Sequence, residues 1–215
     1  MSENNINNKT TSSNDSPPTD IIFILDESGS MYTMEEEAKQ SINSFIKDQK
    51  DVDPENSTFT LWKFNTKVKC VYDDVPLSSL EEFTDFTPHG LTALFDGIGN
   101  AITTKLSKKK NTDVICVILT DGDENASQEY NSDTIKNMIK DMEDKYHWKF
   151  IFLGANQDSF TTGSGYGINR QRCANFSSQN TDYNNISHIS GTVSNVVRAV
   201  RVRGIRNTQE DDYNF

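Results

Sequence analysis

Five side chains with oxygen donors sit at three points of this 215-residue chain. Asp26, Ser28 and Ser30 alternate at steps of two directly after the apolar run Ile21 to Leu25. Asp121 follows a second apolar run, Val114 to Leu119, and opens the sequence Asp121, Gly122, Asp123. Thr92 lies in the stretch Pro88 to Leu94, just before a segment of helical period. Carboxylates and hydroxyls without thiol or imidazole make an all-hard-oxygen donor set. Such a set suits octahedral magnesium best, admits manganese or calcium, and disfavours zinc. Gly29 is expected to permit a tight turn that aims Asp26, Ser28 and Ser30 at one point.

These residues need elements that bring three loops to one rim. Ile21 to Leu25 reads as a central strand covered on both faces. A capping-box pattern at Thr33 and Glu36 then introduces a helix with Met34, Ala38, Ile42, Phe45 and Ile46 on one face. Phe59 to Phe64 and Val68 to Tyr72 flank Asn65 and Thr66 as a hairpin, which makes one edge strand antiparallel. Leu94, Ile98, Ala101, Ile102 and Leu106 mark a second helix, and Val114 to Leu119 the strand after it. Ile135, Met138, Ile139 and Met142 mark a third helix, Phe150 to Leu153 a strand, and Val193, Val196, Val197 and Val200 a last helix. Thr161 to Gly167 reads as a glycine-rich loop and Cys173 to Phe176 as a short strand. The alternation predicts an α/β fold: a doubly wound, mainly parallel sheet with one antiparallel edge strand and helices on both faces. Ligands of such sheets bind beyond the carboxyl ends of the strands, where Asp26 and Asp121 fall.

The length predicts one domain, residues 19–204. Residues 1–18, rich in Asn, Ser and Thr, are expected to be a disordered leader, and 205–215 an acidic, flexible tail. A net charge of −11 and pI of about 4.7 argue against nucleic-acid and anionic-membrane partners. No apolar run has the length of a membrane span and no secretory signal pattern is present, so a soluble, cytoplasmic protein is expected. Cys70, Cys116 and Cys173 are expected to be free thiols. No oligomeric state follows from these features.

The segment Asp26 to Ser30, with Thr92 and with Asp121 followed by glycine, resembles the metal-ion-dependent adhesion site (MIDAS) of von Willebrand factor A domains, and the resemblance covers roughly residues 19–200. Phe59 to Asn65, Leu119 to Ser127 and Phe152 to Asp158 are similar to small stand-alone A-domain proteins of bacteria, phages and large DNA viruses. The resemblance implies a Rossmann-like fold and a magnesium ion. Ser28 and Ser30 would ligate it directly, Thr92 directly or through water, and Asp26 and Asp121 directly or through water. It also implies an open coordination position that takes an Asp or Glu of a protein partner, and no catalytic residue. The competing class is a magnesium-dependent hydrolase of phosphate esters, for which Asp123, Glu124 and His89 are the conceivable accessory groups. A further idea is that Glu210 to Asp212 of the tail fills the open position of its own or a neighbouring copy.

Blander readings apply to the surroundings. Asp123 and Glu124 are expected to be rim residues, Asp96 to brace a neighbouring loop, and His89 to be structural. Asp121 to Ser132 does not fit an EF-hand, since Ala126 and Ser132 occupy the positions that need Gly and Glu. Gly163 to Gly167 lacks the lysine of a phosphate-binding loop.

Overall fold

A computed structural model describes residues 18–108, 112–155, 159–176, 186–203 and 205. The expected leader, up to residue 17, and the tail from residue 206 lie outside the described residues. Among the described residues the sheet has six strands in the order β3-β2-β1-β4-β5-β6. They are β1 (Thr19–Asp26), β2 (Ser57–Phe64), β3 (Val68–Pro76), β4 (Asp113–Thr120), β5 (Lys149–Ala155) and β6 (Cys173–Phe176). All neighbours pair in parallel except β2 with β3, the expected hairpin, so β3 is the antiparallel edge. β1 lies between β2 and β4, and the gap between the ends of β1 and β4 is where the strand order reverses, the ordinary ligand position of a doubly wound sheet.

Helices α1 (Glu35–Lys50), α2 (Leu94–Ser107), α3 (Ser132–Tyr146), α4 (Ser159–Gly165) and α5 (Ile186–Arg203) cover the sheet. Successive residues of a strand point to opposite faces, and β1 divides accordingly. Ile21, Phe23 and Leu25 pack with the apolar stripes of α1 and α5, while Ile22 and Ile24 pack with those of α2 and α3. Every residue of β1 is buried. Burial on both faces leaves the C-terminal strand ends as the place where polar side chains can converge.

Two expectations about local structure are corrected. The capping box does not form: Gly29–Met34 is a 3-10 turn, so α1 starts at Glu35 behind Met34, which makes no side-chain cap. Met31 and Met34 are drawn into the core by that turn, and their burial outweighs a cap worth about 1 kcal/mol. The glycine-rich stretch is not all loop, because Ser159–Gly165 is α4. A Cβ on Gly163 would lie 2.5 Å from Cys173 Sγ and 3.3 Å from Phe152, so this glycine serves close helix-to-sheet packing. All three cysteines are free thiols, and Cys116 is fully buried.

Candidate metal centre

The first loop grows out of β1. Asp26 is fully buried, with Oδ1 accepting from the Ser28 N–H at 2.7 Å and Oδ2 from the Thr120 hydroxyl at 2.5 Å. Desolvation outweighs these bonds and pushes the Asp26 carboxyl up to about 6. The Ser28 and Ser30 hydroxyls are 3.0 Å apart, and Ser30 Oγ donates to Asp121 Oδ1 at 2.6 Å. Burial also raises the Asp121 carboxyl above its ordinary range. Since Ser30 gives its proton to Asp121, its lone pairs remain available to a cation.

Thr92 reaches the same point from the third loop. Its N–H donates to Asn125 Oδ1 at 2.9 Å, and its carbonyl accepts from the N–H groups of Asn125 and Ala126 at 3.0 and 3.2 Å. Thr92 is buried, and its hydroxyl borders the space beside Gly122. A Cβ added to Gly122 would sit 3.2 Å from Thr92 Oγ1 and 3.4 Å from Ser30 Oγ, so the bare glycine leaves open a cradle bounded by those hydroxyls. All five residues singled out in the sequence therefore converge where β1 and β4 end.

These residues fit a divalent cation. The candidate donors are hard oxygens, the Thr92 and Ser30 hydroxyls border the cradle, and Asp26 is buried at a cost that a cation would offset. Among the described residues no three His, Cys, Asp or Glu side chains group as a metal cluster. Three of the five residues that converge here are serine or threonine, which bring hydroxyls in place of those groups.

The loops are held by residues that no local motif reveals. Glu27 is buried and ion-paired with buried Lys63 at 2.7 Å, and the same Glu27 oxygen accepts from the Thr87 N–H at 2.8 Å. Lys63 also donates to the Asp85 carbonyl, which ties the 84–91 loop to β1 and β2. Gly29 N–H donates to Gly90 O at 3.1 Å, and the Leu91 N–H donates to Thr66 Oγ1 at 2.9 Å. Gly90 is the position that requires glycine: its φ is +79°, and a Cβ would meet Thr66 Oγ1 at 2.7 Å. Gly29 opens the turn Gly29–Met34 without a positive φ, and its lack of a side chain serves the close approach to Gly90.

Asp96 braces a loop as expected, accepting from the N–H groups of Gln128, Glu129 and Tyr130 at 2.8 to 3.0 Å. Glu124 departs from the rim role. Its oxygens take the N–H groups of Ala126, Ser127 and Phe95 and the Ser127 hydroxyl, so it fastens the Asp121 loop to the first turn of α2. His89 is structural, its Nδ1 2.7 Å from Thr87 O and its Nε2 3.2 Å from Asn65 Nδ2. Asp123 is exposed.

Oxygen donors gathered at the switch point of a doubly wound sheet define a class of ligand-binding α/β domain. Residues 20–192 match the von Willebrand factor type A domain, and the chain belongs to that family. No curated protein matches the sequence. Proximal thread matrix protein 1 from the mussel byssus is similar in structure, with a TM-score of 0.62 and 16% identity, over 87% of this chain and 47% of that one. Another structure of that protein is described as having a zinc-occupied MIDAS motif. The pilus adhesin SpaC of Lactobacillus rhamnosus GG gives a TM-score of 0.68 at 10% identity, over 89% of this chain and 31% of that one. Manganese-loaded TRAP protein of Plasmodium vivax gives 0.55 at 12% identity, over 74% and 68%. At these identities the likeness is one of fold. The chain spans about half the length of the mussel protein.

Proposed function

We propose that this protein is a divalent-cation-dependent binding module, in which a complete MIDAS of Asp26, Ser28, Ser30, Thr92 and Asp121 holds a magnesium ion. The ion would grip an Asp or Glu of a protein partner. The observation that carries this reading is the convergence of the Thr92, Ser30 and Asp121 oxygens around the space that Gly122 leaves open. Neutral hydroxyls leave much of the cation's charge uncompensated, so it keeps affinity for an external carboxylate. The zinc in the mussel protein's motif and the manganese in TRAP support a divalent ion at such a site. Magnesium is favoured here by the hard-oxygen donor set, with manganese or calcium as substitutes.

Binding is favoured over phosphate-ester hydrolysis because two of the three conceivable accessory groups, Glu124 and His89, are committed to holding loops, which leaves exposed Asp123 alone. A general base needs a free lone pair within reach of the attacking water. Among the described residues no helix is long and apolar enough to cross a membrane; action in the cytoplasm, away from nucleic acid, completes the reading. Affinity capture from a cell lysate, with magnesium or with chelator, tests it. The expected result is a protein retained by wild type with magnesium and lost with chelator or in Asp26→Ala. Metal-dependent turnover of phosphate esters that is abolished by Thr92→Ala would reverse the preference.

A further inference from the structure

Four large apolar side chains are strongly exposed among the described residues: Tyr32 (71%), Leu91 (54%), Tyr146 (54%) and Val202 (64%). Tyr146 ends α3 and Val202 lies in the last turn of α5, at the pole where β5 and β4 begin. Tyr32 and Leu91 lie at the other pole. Tyr32 is two residues after Ser30, and Leu91 immediately precedes Thr92, so each rides on a loop that supplies a hydroxyl to the cradle.

The backbone of the two loops places both side chains outside. In the turn Gly29–Met34 the core takes Met31 and Met34 and leaves Tyr32 outside. The Leu91 backbone is fixed by Thr66, which keeps its side chain out while Thr92 turns in. Single exposed apolar residues are ordinary. A pair of them on two of the three loops around one polar depression is a surface with a direction. Beside Leu91, the same Thr66 forms part of the wall of an open cavity of about 540 Å³, with Trp62, Asn100 and Gln128, which gives a bound chain room to continue.

Charge limits what can dock there. The chain carries −11 overall, and Asp123 is exposed on the Asp121 loop. A partner rich in acidic residues is repelled everywhere except at the cation. One carboxylate in an apolar setting meets the cation and the apolar rim together.

We propose that Tyr32 and Leu91 form an apolar rim to the cation site, and that the partner is a protein segment with a single acidic side chain flanked by large apolar side chains. This rests on the binding function proposed above. Random heptapeptides displayed on phage and selected on the full chain with magnesium, then eluted with chelator, test it. The expected consensus is one Asp or Glu with an apolar or aromatic residue within two positions. Tyr32→Ser and Leu91→Ser should each weaken a selected peptide about tenfold, a typical effect of losing one partly buried apolar contact. Selection on the double variant should keep the acid and lose the apolar preference. Thermal melting of both variants at the wild-type temperature shows that the fold is intact. Acidic peptides without apolar neighbours, or an apolar preference unchanged in the double variant, would overturn this inference and leave the proposed function standing. No chelator-eluted enrichment, or the same enrichment on Asp26→Ala, would overturn the proposed function itself.

Discussion

Replacing Asp26 with Asn should stabilise the metal-free protein at neutral pH while removing its response to magnesium. Asp26 is fully buried, and desolvation raises its carboxyl from an ordinary 3.8 to about 6. Keeping it ionised above pH 6 therefore costs the folded state about 3 kcal/mol. The sign follows from linkage. Below pH 3.8 the group is protonated in both folded and unfolded chains and the penalty is absent; it grows between pH 3.8 and 6, and is constant above. Asparagine keeps the acceptor for the Ser28 N–H. Its amide can donate to the Thr120 hydroxyl, whose proton turns to Gly122 O, 3.1 Å away. Urea unfolding in chelator from pH 4 to 8 should show Asp26→Asn gaining up to about 3 kcal/mol over wild type at pH 7.5, and nearly nothing at pH 4. Magnesium at a hundredfold excess over its dissociation constant should then stabilise wild type by about 2.7 kcal/mol and the variant far less. A stability gap independent of pH, or an equal magnesium response, would refute this account of Asp26.

Three further outcomes follow from the same geometry. Gly122→Ala should weaken magnesium binding at least about tenfold by calorimetry with little loss of stability, because the added Cβ enters the cradle at 3.2 Å from Thr92 Oγ1 and 3.4 Å from Ser30 Oγ. Lys63→Met should cost roughly 3 to 5 kcal/mol in urea unfolding by leaving Glu27 buried and unpaired, and adding Glu27→Gln should recover a large part of it. Deleting residues 206–215 should leave magnesium affinity unchanged. Ile205 is bonded to Asp113 at the start of β4, and the eight residues of β4 separate that end from Asp121 by about 26 Å. Seven fully extended residues, as far as Asp212, span at most about 25 Å, so the tail would have to be stretched to its limit to approach the site.

Four of the five residues proposed to hold the cation were legible in the sequence because they lie next to strands that announce themselves. Asp26, Ser28 and Ser30 follow the apolar run of β1 directly, and Asp121 follows that of β4, so the fold rule for strand ends placed them together. The helical stripes were legible for the same reason: each is a period within a dozen residues. What holds the loops was not. Glu27 and Lys63, or Thr120 and Asp26, lie 36 and 94 residues apart, and no spacing rule joins them. A buried lysine in β2, within an otherwise apolar and threonine-containing strand, was the available signal that a buried acid must exist elsewhere. Glu124 was misread because an acid in an acidic loop looks solvated until the N–H groups it accepts are placed. The capping box at Thr33 failed because a local preference of about 1 kcal/mol lost to the burial of two methionines.

The central claim, one cation at the ends of β1 and β4, is tested most directly by anomalous diffraction from crystals soaked in manganese. The expected result is a single strong peak bonded to Ser28 Oγ and Ser30 Oγ at about 2.2 Å, with Thr92, Asp26 and Asp121 bonded directly or through water, and no such peak in Asp26→Ala crystals. A peak elsewhere on the surface, or none at manganese concentrations that saturate calorimetric binding, would contradict it.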